Sequence, residues 1–261
     1  MPGHKMSPMT QPRAIEREFG VPIAGEILEP ARWTKTALKK LPPPGAIDWL
    51  SIFTRRAPLI VDIGCGNGRY LIGSAWSRPD HDHIGIDILP LVLRYATRRA
   101  NQRGLSNIRF AAIDGQRFVS HYLAPASVRE FHIYHPQPFH DSRQVERRLL
   151  TPTFLAQVHR VLEPGGRLFL QTDNAPYWRY MQQVAPAFFD WHEPQRPWPD
   201  SPKGRTRREI LALRRGLTIH RGWGARKKLS EEEEKAIAAT LPLPTFDAGP
   251  RLRELDELER E

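Results

Sequence analysis

Three glycines in five residues, Gly64, Gly66 and Gly68, follow the short apolar run 59–61 and the carboxylate of Asp62. This pattern predicts a buried strand, a glycine turn and a helix starting near Arg69. Glycine has no Cβ, so such a turn brings backbone N–H groups against a ligand, and Cys65 inside it packs rather than reacts. The spacing is G-x-G-x-G; the dinucleotide fingerprint would need glycine where Arg69 stands. A second carboxylate, Asp87, stands before the final Ile88 of the run HIGIDI, where an acid about twenty residues beyond such a turn accepts from ribose hydroxyls. A third, Asp114, precedes Gly115 after the apolar segment 108–113. It can accept from an adenine amino group or serve as a plain turn residue. The residues therefore read as a nucleoside site.

These groups need a scaffold. Apolar runs at 59–61, 83–88, 108–113, 130–134 and 167–172 predict five strands, alternating with helices over 70–77, 91–103, 143–162 and 175–184. Such alternation specifies an α/β fold with a doubly wound, mostly parallel sheet. The fourth strand runs into His135-Pro136-Gln137-Pro138-Phe139, whose prolines predict a rigid extended loop at the ligand crevice. Thr151-Pro152 breaks the helical segment that follows, and Asp173 ends the fifth strand. A helix over 206–215 and a last strand over 217–221 follow, the strand closing the sheet as an antiparallel hairpin. Arg94, Arg98, Arg99 and Arg103 are expected on the wet side of the helix over 91–103.

The chain divides into a basic, proline-containing arm over 1–45, a main domain over 46–228, and a charged helix and tail over 229–261. The arm is expected to hold little regular structure beyond a short helix over 14–19. The tail from residue 251 is expected to be loose. Lysine and arginine outnumber aspartate and glutamate 39 to 29, a net charge of +10 that favours a polyanionic partner, nucleic acid ahead of membrane. Residues 203–228 hold ten basic side chains and the single acid Glu209, with apolar residues between them. One cysteine excludes an internal disulfide framework. No apolar stretch reads as a signal peptide or membrane span, so a cytoplasmic protein is expected. His132, His135 and His140 lack a cysteine or carboxylate pair to complete a ligand set, so no metal site is expected.

In fixed order, VDIGCGNGRYL, GIDI, Asp114, HPQPF, RQVERRLLTPTFLAQVHRVLEPGG, QTDNAPY and TRRE resemble the bacterial tRNA (guanine-N7)-methyltransferases over residues 58–222. The resemblance implies a Rossmann-like fold, S-adenosylmethionine as cofactor and tRNA as partner, with N7 of a variable-loop guanine as target. It places Asp62, Gly64, Cys65, Gly66, Asp87, Ile88, Asp114 and Gly115 on the cofactor. It places Asp173, Thr206 and Glu209 on the guanosine, with Arg207, Arg208 and Asp141 also on the substrate side. Gln137 stands where the family carries its central, catalytic aspartate; Phe139 replaces a tryptophan, Asp141 a lysine, and Arg207-Arg208 a Lys-Phe pair. Reduced activity is therefore expected. The alternatives are methylation of another RNA base, or a catalytically weak protein that binds S-adenosylmethionine and tRNA. Monomer and homodimer both stay open.

Overall fold

Residues 15–260 are described by a computed structural model of the chain. The first of them form a two-stranded hairpin, β1 (Arg17–Glu18) and β2 (Val21–Pro22), turning through Phe19 and Gly20, both at positive φ. This replaces the helix expected at 14–19, of which residue 14 lies outside the described residues. The left-handed pair Phe19-Gly20 reverses the chain where a helix would have to continue. The rest of the arm runs over the open edge of the sheet. Leu38 N donates to Phe110 O (2.8 Å) and Phe110 N to Thr36 O (2.9 Å), which satisfies an edge that would otherwise expose its backbone.

After α1 (Trp49–Phe53), capped by Asp48, the chain alternates between strand and helix: β3 (Leu59–Ile63), α2 (Arg69–Ser77), β4 (Asp82–Asp87), α3 (Pro90–Gln102), β5 (Ile108–Ala112), α4 (Gly115–Tyr122), β6 (Val128–Tyr134), α5 (Pro152–Val161), β7 (Leu162–Thr172), α6 (Ala175–Phe188) and β8 (Phe189–His192). Then follow α7 (Arg207–Arg214), β9 (His220–Arg226), α8 (Glu231–Thr240) and α9 (Arg253–Arg260). The seven-stranded sheet has the order β5-β4-β3-β6-β7-β9-β8, parallel through β7, with β9 antiparallel to both its neighbours. Alternation within β3 assigns its side chains to two layers. Ile60 packs with Leu71 and Ala96 of α2 and α3, while Val61 and Ile63 pack with Phe118, Phe154 and Met181 of α4–α6. The chain leaves β3 toward β4 and later returns to its other side as β6. That reversal opens the crevice in which such sheets bind ligands.

Four boundaries depart from expectation, each for a local reason. Residues 142–147 form a 3-10 turn instead of an α-helix, started by Asp141. The last strand is His220–Arg226, later than expected, and β8 is a further strand beside it. Gly222 and Gly224 of β9 lie under Trp191 and Phe189 of β8; a Cβ at Gly222 would stand 2.1 Å from the Trp191 ring. The glycines that hid the strand are therefore what allows it to pack. Residues 253–260 are helical instead of loose, with Leu255 buried against Leu211, Ala212 and Ile219. Finally, Arg99 and Arg103 are not on a wet face. Arg103 is buried and donates to Ala24 O and Glu16, and Arg99 pairs with Glu16 and Glu18.

Candidate functional site

The glycine turn after β3 is shaped by positive φ at Gly64 (73°), Gly66 (53°) and Gly68 (75°). At Gly68 a Cβ would also meet Ala96 at 2.9 Å, so this glycine serves close packing of α2 on α3. Asp87, at the end of β4, holds the turn. Its carboxylate accepts from Gly66 N and Leu89 N, each at 2.9 Å. Burial pushes the Asp87 pKa up against these hydrogen bonds. Two accepted bonds leave further lone pairs on the carboxylate for a ligand's hydroxyls. Asp62 lies deeper, 3% exposed, and its pKa is raised to about 8 by burial and then by the charge of Asp87, with Arg205 opposing.

Across the crevice, the loop after β6 carries His135 and Phe139 at positive φ (51° and 45°), a conformation that costs non-glycine residues about 1–3 kcal/mol each. A side-chain chain pins its first residue. Trp198 Nε1 donates to Gln171 Oε1 (2.7 Å), so Gln171 Nε2 faces His135 Nε2 (3.0 Å) as donor, and His135 Nδ1 donates to Asp173 (3.1 Å). Arg208 Nε closes the chain on the other oxygen of Asp173 (2.8 Å). Burial opposes ionisation of Asp173, but the hydrogen bond from His135 and the charge of Arg208 outweigh it and hold its pKa below the ordinary range.

Thr206 caps α7, accepting from Glu209 N (3.0 Å), and so aims the first turn of the helix at the crevice. Behind it Arg205 is enclosed by the rings of Trp198 (4.3 Å), Tyr70 (5.1 Å), Tyr134 (5.8 Å) and Phe169 (5.9 Å), and pairs with Asp200 (2.7 Å). His132, between Tyr70 (2.9 Å) and Tyr134 (2.8 Å), is a buried hydrogen-bonding residue of this layer, its pKa lowered to about 4 chiefly by burial.

These walls enclose a cavity of about 1120 Å3. That exceeds the roughly 300–1000 Å3 of a pocket for one small molecule and leaves room for a cofactor and a base together. Asp62, Gly64, Cys65, Gly66 and Asp87 line one part of it. Gln137, Asp141, Asp173, Thr206, Arg207 and Arg208 line another. Four expected residues are not in the wall. Ile88 points outward, 62% exposed. Asp114 is exposed and caps α4, accepting from Arg117 N (2.8 Å). Gly115 serves packing, since a Cβ there would stand 2.5 Å from Ile63. Glu209 is fully buried, accepting from Arg205 N (2.7 Å) and paired with Arg221 (2.5 Å), so it positions α7 from beneath. Asp141 reaches the cavity rim, but Arg143 grips both of its oxygens (2.6–3.1 Å).

The sequence reading missed three contributors to the wall. Glu18 on the N-terminal hairpin accepts from Asn67 (2.7 Å) and pairs with Arg99 (3.3 Å), Arg207 (3.4 Å) and Arg69 (3.6 Å). Tyr95 and Arg99 stand four apart on α3, a spacing that marks one helix face. Pro250, Arg251 and Leu252 arrive from the far end of the chain, with no local signal to announce them.

A family model described as "Putative methyltransferase" matches residues 56–221. A tRNA (guanine-N(7)-)-methyltransferase of Halorhodospira halophila is 33% identical over 69% of this chain and 80% of its own length. One of Rubrobacter xylanophilus is 34% identical over 65% of this chain and 77% of its own. Among solved structures, the 16S rRNA methyltransferase KamB superposes with a TM-score of 0.55 over 74% of this chain and 99% of its own, at 16% identity, a likeness of fold.

Proposed function

This chain belongs to the tRNA (guanine-N(7)-)-methyltransferase family, and from that premise we propose that it transfers a methyl group from S-adenosylmethionine to N7 of a guanine in tRNA, in the variable loop. The observation that carries the reading is the two-sided cavity. A glycine turn with two carboxylates lines one side, and a basic helix start beside an ionised Asp173 lines the other. The residues fit the cofactor: Gly64 and Gly66 leave open space where a side chain would stand, and Asp87 keeps acceptor capacity for a ribose. When bound, the cofactor supplies an electrophilic methyl group on a positively charged sulfur.

N7 of guanine carries a free lone pair, so the chain's residues need not remove a proton. Their work is alignment and charge stabilisation. Asp173, ionised and fixed by His135 and Arg208, accepts from the amino edge of the guanine. Thr206 offers its hydroxyl, and Arg207 and Arg208 meet RNA phosphates. Gln137 presents a carbonyl oxygen where a carboxylate would carry full charge, which slows the reaction without abolishing it. The catalytic domain runs over residues 46–228, with the segments before and after it as additions. A tRNA substrate places the protein in the cytoplasm; no helix among the described residues is long and apolar enough to cross a membrane.

The test is mass spectrometry of nucleosides from unmodified tRNA incubated with the protein and S-adenosylmethionine labelled in the methyl group. Labelled 7-methylguanosine is expected, formed up to roughly a hundredfold faster by Gln137→Asp. Label in another nucleoside would redirect the reading to another base. No label, with both ligands still bound, would leave a binding protein.

A further inference from the structure

The segment after α8 lies beyond residues 56–221, where the family model matches, yet it is built into the cavity. From Leu241 it crosses the crevice as a strap. Tyr180 Oη donates to Pro242 O (3.1 Å), Asn174 Nδ2 to Ala248 O (2.9 Å) and His140 Nδ1 to Gly249 O (2.9 Å). Phe246 packs against Tyr177 and Tyr180, and Leu255 buries its side chain against α7. Pro250–Leu252, between these anchors, face the cavity.

Arg148 bolts the strap to the loop after β6. It is 3% exposed and lies 3.9 Å over the Phe246 ring. Its guanidinium donates to Pro244 O (2.6 Å) and Phe246 O (2.7 Å) on the strap, and to Pro138 O (2.6 Å) and Phe139 O (3.1 Å) on the loop. The loop is strained at Phe139, and a strained backbone persists only where its surroundings over-determine it. One planar fork serving four carbonyls does that, and it works only while the strap is in place.

We propose that residues 241–255 strap the substrate side of the methyl-transfer site, holding the His135–Phe139 loop in its working shape and adding Pro250, Arg251 and Leu252 to the wall that the purine meets. Arg148 and Phe246 are positioning residues, and Leu252 is the apolar face that the base meets. This rests on the RNA-methylating reading above, so its test carries a readout independent of methyl transfer.

In the full chain, Arg148→Lys keeps the charge but loses the fork, and Phe246→Ala removes the ring beneath it. Both are expected to bind S-adenosylhomocysteine within twofold of wild type, because the glycine turn and Asp87 stand on other elements. Amide hydrogen exchange over residues 135–151, where the N–H groups of His135, Gln144, Arg148 and Thr151 are hydrogen-bonded, should rise at least tenfold, and single-turnover methylation of tRNA should fall at least tenfold. Phe246→Leu should restore most of both. Unchanged exchange over 135–151 in both variants would overturn the proposal. So would loss of S-adenosylhomocysteine binding in step with methylation, which marks general destabilisation. If wild type methylates no RNA, the parent reading fails, while the exchange measurement still decides whether the strap holds the loop.

Discussion

At the scale of single residues, the carboxylates beside the glycine turn divide by how far each is committed before a ligand arrives. Asp87 already holds two backbone N–H groups. Replacing it with alanine removes acceptors from both the turn and the ligand. Affinity for S-adenosylmethionine is therefore expected to fall by about 1.5–3 kcal/mol, the range of a charge-assisted hydrogen bond. Calorimetric titration of Asp87→Ala reads this directly, and unchanged affinity would remove Asp87 from the site. Asp62 is the opposite case, a cavity-lining acid with its pKa raised to about 8, so at pH 7 it is mostly protonated. A cationic ligand favours its ionised form. Binding of S-adenosylmethionine at pH 7 should therefore release close to one proton, measured as the difference in binding enthalpy between two buffers of unequal protonation enthalpy. Asp62→Asn should abolish that release. A wild-type protein that binds without proton release would show that Asp62 does not sense the ligand's charge.

At the scale of elements, the site is assembled by segments far apart in sequence, and that sets what could be read in advance. The placement of the glycine turn and Asp87 at the crevice is legible because it depends on local features: a strand, a turn and a spacing. The five parallel strands were legible for the same reason. Glu209 lies beneath the wall instead of in it, because its type and position give no sign of the buried pair with Arg221, a partner delivered by β9. Glu18 and Leu252 were missed because their roles depend on the hairpin and the strap folding back over the crevice. The hairpin offers a direct measurement. Glu18 is 5% exposed and is the common partner of Asn67, Arg69, Arg99 and Arg207, which stand on the glycine turn, α2, α3 and α7. Glu18→Ala leaves three guanidinium groups around an empty centre. Breaking a buried pair on one side costs about 3–5 kcal/mol, and the partial exposure of Arg207 places this one near the lower figure. Denaturant unfolding should show a loss of about 3 kcal/mol. A loss under about 0.5 kcal/mol, the size of an ordinary surface substitution, would mean that the hairpin docks without this centre.

At the scale of the whole molecule, the polar layer beneath the cavity makes stability depend on pH with two opposed signs. His132 and His83 are buried and neutral, their pKa values lowered to about 4 and about 3, chiefly by desolvation. Between pH 6.5 and 4 the unfolded chain binds two protons at these positions that the folded chain refuses. In the same window folded Asp62 keeps one proton that the unfolded chain has lost. The unfolded state is thus ahead by about one proton, so stability falls as the pH drops below 6.5. Asp173, held below the ordinary range, acts in the same direction at the acid end. Above pH 6.5 the histidines are neutral in both states and Asp62 acts alone. Its raised pKa contributes stability that is lost as the pH climbs toward 8. The unliganded protein should therefore be most stable near pH 6.5, with a melting temperature that declines on both sides. Asp62→Asn should flatten the alkaline side and leave the acid side in place. A wild-type melting temperature that kept rising from pH 6.5 to 8.5 would show that Asp62 is already ionised in the folded protein, and would also withdraw the expected proton release on ligand binding.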